Sequence, residues 1–225
     1  MKYGYVEDAV FLQRPNRFIA QVLLHGQQET VHVKNTGRCR ELLVEGAKVY
    51  LERGTNPARK TKWDLIAVEK GDRLINMDSQ LPNWVAQEWL TQGGLGKFDQ
   101  VLREQTWGAS RLDFCLKSQD RMKYVEVKGV TLEERGKVYF PDAPTARGTK
   151  HLEELMKIRH QGMEAAVLFV VQMDCVTSFS PNDATDPAFG SALRQAVKAG
   201  VEVAAIDCRV WPDEVQPGQR VPVIL

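Results

Sequence analysis

The stretch SRLDFCLKSQDRMKYVEVKG, residues 110–129, decides the fold because it reads as two strands that carry charged residues on one face. Apolar residues alternate with other types on both sides of the polar run KSQDRMK, which predicts an antiparallel hairpin. If the turn centres on residues 119 and 120, Asp113 lies directly opposite Glu126. Side chains alternate between the two faces of a strand, so Lys128 shares a face with Glu126. The pattern therefore predicts one cluster of Asp113, Glu126 and Lys128.

A third carboxylate joins this cluster from the strand upstream. QVLREQTW, residues 100–107, reads as a strand, and a turn at residues 108 and 109 sets Glu104 opposite Asp113. Carboxylates on neighbouring strands, with Cβ atoms roughly 5 Å apart, repel one another unless a cation lies between them. Mg²⁺ and Mn²⁺ prefer carboxylate oxygens as ligands. The predicted metal ligands are Asp113, Glu126 and Glu104.

The lysine gives the predicted site a chemistry beyond metal binding. Lys128 is placed to orient an attacking water or to stabilise charge that develops on a phosphate. The predicted catalytic residues of a metal-dependent phosphodiesterase are thus Asp113, Glu126, Lys128 and Glu104. A Glu-x-Lys tripeptide also suits a solvated strand face, so a surface network of ion pairs remains the alternative interpretation.

Length and composition limit the class of protein. The 225 residues, 43% of them hydrophobic, suffice for one large core or two small ones. No apolar leader precedes the acidic residues of MKYGYVEDAV, and nowhere do 18 apolar residues run together, so we expect a soluble protein without a membrane partner. The four cysteines stand far apart without a Cys-x-x-Cys pair, which argues against zinc and against a disulfide framework. We expect reduced cysteines in a cytoplasm.

Positive charge is concentrated at the start of the chain. Residues 1–70 contain 12 Lys or Arg and 8 Asp or Glu, a net charge of +4, whereas the whole chain carries +1. The same part holds strand-like runs separated by glycine, asparagine or charge: RFIAQVLLHG, ETVHVKN, AKVYLERG, KWDLIAVEKG and RLINMDS. Five short strands suggest a barrel of the OB type, which commonly binds oligonucleotides.

A nucleic acid bound to this barrel would contact basic residues, and Phe18 or Trp63 would stack on bases. Basic residues on an ordinary solvated face are the alternative. The predicted contacts are Arg14, Arg17, Arg38, Arg59 and Lys60.

After residue 80 the hydrophobic period changes. PNWVAQEWLTQGG predicts a helix, and TKHLEELMKIRHQG predicts a second helix with Thr149 as its N-cap. The strand AAVLFVVQM, the helix PAFGSALRQAVKAG and the strand VEVAAIDCRV follow, which indicates an α/β domain with a mixed sheet. We therefore divide the chain into a barrel, residues 1–80, and an α/β domain, residues 81–225.

The loop VYFPDAPTARGTKH ends at the start of the second helix, where backbone N–H groups favour anions. An ordinary helix cap with unremarkable neighbours is the alternative. The predicted phosphate contacts at this point are Arg147, Lys150 and His151.

A set of motifs carries a family resemblance: RPNRF, NTGRCRELL, RKTKWDL, SRLDF, EVKGVTL, FPDAPTARGTKHLEEL and LFVVQ. With these motifs the chain resembles the sugar fermentation stimulation protein A family. The resemblance implies an OB-like barrel joined to a domain of the PD-(D/E)XK nuclease type. It also implies a bacterial cytoplasmic protein that binds DNA without sequence preference and is considered a regulator of maltose and related sugar metabolism.

Carried over to this chain, the nuclease aspartate falls on Asp113 and the Glu-x-Lys signature on Glu126 and Lys128. The chain reads Leu112-Asp113 where the signature has Pro-Asp, so the signature is degenerate. Two functions follow: a Mg²⁺- or Mn²⁺-dependent nuclease that holds DNA, or a DNA-binding regulatory factor with a vestigial nuclease site.

Overall fold

A computed structural model describes residues 1–35, 37–108 and 110–225 of the chain. The N-terminal part consists of strands. They are β1 (Val6–Asn16), β2 (Ile19–Leu24), β3 (Gln27–Val33), β4 (Lys48–Arg53), β5 (Trp63–Lys70) and β6 (Arg73–Asn76).

The C-terminal part alternates strands and helices. Its elements are α1 (Leu81–Thr91), β7 (Gln100–Trp107), β8 (Ser110–Lys117), β9 (Met122–Val130), β10 (Leu132–Glu134), β11 (Lys137–Phe140), α2 (Ala146–His160), β12 (Glu164–Val171), β13 (Ser178–Pro181), α3 (Pro187–Lys198), β14 (Glu202–Val210) and β15 (Val215–Arg220). No helix in the described residues is long and apolar enough to cross a membrane.

The first part forms a closed five-stranded barrel of the OB type, as the sequence predicts. The strands follow the order β3-β2-β1-β4-β5, and parallel pairing of His32 with Asp64 and of Val33 with Leu65 closes the barrel. Membership of the barrel differs from the prediction, because β1 was not among the predicted strands and the run RLINMDS forms β6. Strand β6 extends the sheet at β5 without taking part in closure.

The second part is built on a mixed sheet in the order β15-β14-β12-β9-β8-β7. Strand β12 pairs in parallel with β9 and β14, and α2 and α3 lie in the two crossover connections. Such strands are covered on both faces, which is why the run AAVLFVV is apolar throughout. One face packs on α2 and α3 through Phe169, and the opposite face packs on α1 through Leu168.

The two parts share packing and hydrogen bonds. The first residues of the chain run beside β15, where the N-terminal ammonium donates to the Val215 carbonyl at 2.6 Å and Tyr3 N donates to Asp213 O at 2.8 Å. Strand β6 is tied to the end of β12 by a bond from Asn76 N to Gln172 O at 2.9 Å. The proposed division at residue 80 lies at the start of α1 and stays a prediction about domain limits.

Helix α2 begins earlier than predicted. Its N-cap is Thr145, whose hydroxyl accepts from Gly148 N at 3.0 Å, so Thr149 lies inside the first turn rather than at the cap. An N-cap Ser or Thr accepts, through its hydroxyl oxygen, a hydrogen bond from the backbone N–H two or three residues later. Thr145 meets this condition because the N–H of Gly148 lies in the first turn of α2. Arg147 therefore lies inside the helix. The loop predicted before α2 also contains a strand, β11.

Candidate functional site

The two hairpin registers on which the predicted site depends are confirmed. Strand β8 pairs with β9 through Phe114 and Val125, and β7 pairs with β8 through Arg103 and Phe114. These pairs have the predicted registers, and Asp113 itself is absent from the regular pairs of both ladders. Gly108, with φ +57°, supplies the left-handed conformation of the turn between β7 and β8, whereas its predicted partner Ala109 lies outside the described residues.

Asp113 lies where the regular β8–β9 ladder ends. Its Oδ2 accepts from the backbone N–H of Val127 at 2.8 Å, and its Oδ1 accepts from Asn83 Nδ2 at 3.1 Å. The side chain is partly buried, and this burial together with the charge of Glu126 raises the pKa of Asp113. The carboxylate is thus fixed by two donors in a place where a positive charge would stabilise its ionised form.

Glu126 forms the second half of a carboxylate pair and is buried. Its Oε1 accepts from Lys128 Nζ at 2.6 Å and bonds to His151 Nδ1, which reaches it from α2. Lys128 Nζ also lies 3.2 Å from His151 Nδ1. Burial alone would raise the pKa of Glu126, but the contacts with His151 and Lys128 outweigh it and hold the pKa below its usual value.

Glu104 does not join this pair, contrary to the prediction. Its backbone takes the left-handed conformation with φ +54°, which interrupts the regular pairing between Arg103 and Gln105. The side chain forms an ion pair with Arg111 on the exposed surface. A Glu104 that faces Asp113 requires a regular strand, and the irregular backbone of β7 at this residue turns the carboxylate elsewhere.

The metal-ligand set is therefore smaller than predicted. Across residues 1–35, 37–108 and 110–225, no three His, Cys, Asp or Glu side chains are grouped so that they could hold a metal ion. A small divalent cation that keeps several waters needs only one or two carboxylates. The pair of Asp113 and Glu126 fits a cation of that kind and does not fit an all-protein metal cage.

Several predicted DNA contacts on the barrel have structural partners. Arg14 donates four hydrogen bonds of 2.6–2.9 Å to backbone carbonyls, those of Arg17, Asn35, Gly37 and Arg38. Arg59 pairs with the buried carboxylate of Asp64. Neither guanidinium is free for a ligand. Of the barrel residues predicted to contact nucleic acid, Arg17, Arg38 and Lys60 are exposed.

The two predicted stacking residues differ in exposure. Phe18 is 46% exposed, and the Arg17 guanidinium lies 5.0 Å from its ring centroid. Trp63 is only 8% exposed and packs in the core, so the prediction that it stacks on a base is wrong. A tryptophan in a barrel strand points inward or outward according to register, which composition does not show.

The residues predicted to contact phosphate at the start of α2 also differ in exposure. Arg147 and Lys150 are exposed, and Arg147 Nε lies 3.5 Å from Nε2 of His151. His151 is buried beside Glu126, so its ring supports the carboxylate pair instead of facing solvent as an anion contact. Sequence reasoning missed Asn83 entirely. The sequence marks Asn83 only by its position after a proline at the start of a helix, which is a weak indication of a role in the site.

A cleft of about 330 Å³ opens beside the carboxylate pair, between the barrel and the sheet. Asn83 and Val127 line it and also donate to the Asp113 carboxylate, so the cleft adjoins Asp113 through these two residues. Other lining residues come from both parts of the chain, among them Asn35, Ser79, Gly129, Asp142 and Gln172.

Comparisons with known proteins agree with this architecture. Residues 12–77 match the family model described as the SfsA N-terminal OB domain, and residues 80–214 match the sugar fermentation stimulation protein RE domain. Sugar fermentation stimulation protein homologs from Desulfitobacterium hafniense and Clostridium perfringens are 52% and 51% identical to the chain. These alignments cover 100% of the chain, with 99% of the first relative and 100% of the second.

A solved structure resembles the whole chain. It is described as the structure of Pyrococcus furiosus SfsA in complex with Ca²⁺, and it superposes with a TM-score of 0.90 at 27% identity. The match covers 100% of this chain and 98% of the other. With family models across both parts and relatives above 50% identity, the chain belongs to the sugar fermentation stimulation protein family.

Proposed function

We propose that this protein binds DNA with little sequence preference in the bacterial cytoplasm and hydrolyses phosphodiester bonds with a divalent cation, Mg²⁺ or Mn²⁺. The observation that carries the proposal is the convergence of Asp113 and Glu126 beside Lys128. Two carboxylates held together in a partly buried place repel each other, and a cation between them removes that cost. The family relative from Pyrococcus furiosus was solved in complex with Ca²⁺, which supports a divalent ion as a ligand of this protein.

The surrounding residues have distinct tasks in this proposal. Asn83 and the backbone N–H of Val127 orient Asp113, and His151 orients Glu126. When bound, the cation supplies a Lewis acid that polarises a phosphate oxygen and activates water. Lys128 keeps its ammonium at the edge of the pair, where it stabilises negative charge that develops on the phosphate.

Exposed basic residues on both parts would hold the DNA backbone. Arg17, Arg38 and Lys60 belong to the barrel, and Arg147 and Lys150 belong to the first turns of α2 beside His151. Contacts to phosphate give affinity that depends on salt but carry no direct sequence information. A protein that holds DNA in this way would influence sugar metabolism by binding or cleaving DNA at many sequences rather than by recognising one operator.

A second function has its own support. Glu126 Oε1 is already occupied by Lys128 and His151, Glu104 is absent from the site, and Leu112 stands where the signature has proline. These observations favour a DNA-binding regulatory factor whose nuclease site is vestigial. The two functions differ in turnover and not in DNA binding.

A panel of substrates separates them. Purified protein is incubated with single-stranded, duplex and branched DNA and with RNA, in Mg²⁺ or Mn²⁺, beside a Glu126→Gln variant. The nuclease proposal expects cleavage of at least one substrate by the wild type, metal dependence, and loss of cleavage in the variant. Absence of cleavage across the panel, with DNA binding retained, would establish the non-catalytic function.

A further inference from the structure

The cleft beside Asp113 has a lining suited to an uncharged, hydrogen-bonding group. Amides, hydroxyls and one carboxylate line it, together with the aromatic residues Tyr139 and Phe140. Among the described residues of the lining there is no lysine or arginine. A phosphate would find no cation in this cleft, so its ligand differs from the group held at the carboxylate pair.

Gln172 presents a fixed acceptor to the cleft. The residue is 2% exposed, and its Nε2 donates to the Asp78 carbonyl at 3.0 Å and to the Asn76 carbonyl at 3.2 Å. These bonds orient the amide so that Oε1 lies toward Gly129. Gln172 lines the cleft and none of the described residues donates to its Oε1, so a ligand that brings a donor into the cleft can pair with this oxygen.

Gly129 lets Gln172 Oε1 and Pro82 pack directly against strand β9 at the lining of the cleft. A Cβ atom at this position would lie 2.6 Å from Gln172 Oε1 and 2.7 Å from Pro82 Cγ. Glycine inside a strand weakens the strand and often marks a place where a ligand approaches the backbone closely. Beyond Val125, β9 has no regular pairing with β8, so this edge of the strand faces the cleft.

Asp142 supplies a second acceptor from the loop after β11. Its Oδ2 lies 2.8 Å from the position that a Cβ of Gly37 would take, which places the carboxylate at the barrel side of the cleft. No described residue donates a hydrogen bond to this carboxylate. The cleft therefore offers acceptors from two directions.

We propose that this cleft binds the nucleobase of an unpaired nucleotide whose phosphate lies at Asp113 and Glu126, and that it selects bases with an exocyclic amino group. Adenine, cytosine and guanine carry such a donor, and carboxylate and amide oxygens are common partners for it. The volume of about 330 Å³ lies at the lower end of the roughly 300–1,000 Å³ typical of small-molecule sites. The inference rests on the proposed function for the position of the phosphate, and it names the part of the substrate that the chain recognises.

An unpaired base is required because the edge that meets Gln172 is otherwise occupied in a duplex. A nucleotide at a strand end or in a single strand costs the least to place in the cleft. The preferred substrate is therefore single-stranded or frayed DNA.

Nucleoside binding tests this inference without metal or cleavage. Full-length protein in a chelating buffer is titrated with deoxyadenosine, deoxycytidine, deoxyguanosine and thymidine, and separately with glucose and maltose, and NMR line broadening of the ligand is followed. We expect at least one amino-bearing nucleoside to bind about tenfold or more tightly than thymidine. Gly129→Ala and Asp142→Asn should each weaken that binding by about tenfold. Asp120→Asn, on the exposed β8–β9 turn, is the matched control and should leave it unchanged.

The outcomes are distinct. Equal binding of all four nucleosides, or no binding of any, overturns the inference, and so does binding of glucose or maltose in their place. If Gly129→Ala does not fold, Asp142→Asn decides the result. Nucleoside binding by a protein that cleaves nothing in the substrate panel would contradict the nuclease proposal alone, because this measurement needs no turnover.

Discussion

Replacing Asp113 by asparagine should stabilise the metal-free protein while removing its response to metal. The raised pKa of Asp113 means that its favourable contribution to folding is present at low pH and is lost as the pH rises through the folded pKa. Above the folded pKa the ionised carboxylate therefore costs stability. Asparagine removes the charge and keeps an acceptor and a donor for Val127 N–H and Asn83, whose amide can turn to match.

The size of the effect follows from the repulsion between the Asp113 and Glu126 carboxylates. Two unit charges about 5 Å apart repel by about 3 kcal/mol at an effective dielectric constant of about 20. Lys128 beside Glu126 cancels part of this repulsion, so we expect a net gain of about 1–2 kcal/mol. In a protein of this length each kcal/mol moves the Tm by about 2–4 °C, which gives a rise of about 2–8 °C.

In Mn²⁺ the wild type should become more stable than the Asp113→Asn variant. A cation at about 100 times its Kd stabilises the wild type by about 2.7 kcal/mol, whereas the variant lacks one of two ligands and should gain little. Calorimetry in chelator measures the stability of each metal-free protein, and calorimetry in Mn²⁺ measures the gain from metal. Asp120→Asn is the control for loss of an exposed charge. An Asp113→Asn variant that is less stable than wild type in chelator, or that gains as much from Mn²⁺, would refute this reasoning.

Three further predictions test the surface, the sheet and a helix cap. Reversing Arg17 and Arg38 to glutamate should weaken DNA binding and lower the slope of log K against log salt by about 2, measured by fluorescence anisotropy; an unchanged slope contradicts the assigned surface. Lys123→Met should cost about 1–3 kcal/mol in chemical denaturation, because it removes the ammonium that the buried side chain of Lys123 places 2.7 Å from Glu202 and 3.0 Å from the Leu95 carbonyl, while the partly exposed Glu202 stays hydrated; a cost below about 0.5 kcal/mol would show that these contacts are not needed. Thr145→Ala should cost about 1 kcal/mol, whereas Thr149→Ala should cost less if Thr145 is the true N-cap.

Strand registers around the site were predictable from sequence because apolar side chains alternate on both sides of short polar turns. A shift by one residue would have moved Leu112 and Val125 out of the core, and both are fully buried. The same alternation placed Glu126 and Lys128 on one face. It could not show the left-handed backbone at Glu104, which depends on how β7 bends and not on residue type.

Partners across the barrel were beyond sequence reasoning. Arg14 and Arg59 look like free basic residues in composition, yet Arg14 binds backbone carbonyls and Arg59 binds a buried aspartate, Asp64, that is only five residues along the chain; residue type does not show that this aspartate is buried. Strand β1 was missed because its sequence carries charges and a proline, and its pairing with β2 contains register shifts. Asn83 and His151 reach the carboxylate pair only through the packing of α1 and α2 on the sheet.

The most direct test of the catalytic site is single-turnover cleavage of DNA by wild type and by Lys128→Ala at saturating protein and Mn²⁺. We predict that the variant binds DNA and gains thermal stability from Mn²⁺ as the wild type does, because the exposed basic residues and both carboxylates are intact. Its cleavage rate should fall by about a hundredfold or more, the usual loss for one electrostatic stabiliser. A wild type that cleaves measurably and a Lys128→Ala variant that cleaves at the same rate would contradict the site assigned to Asp113, Glu126 and Lys128.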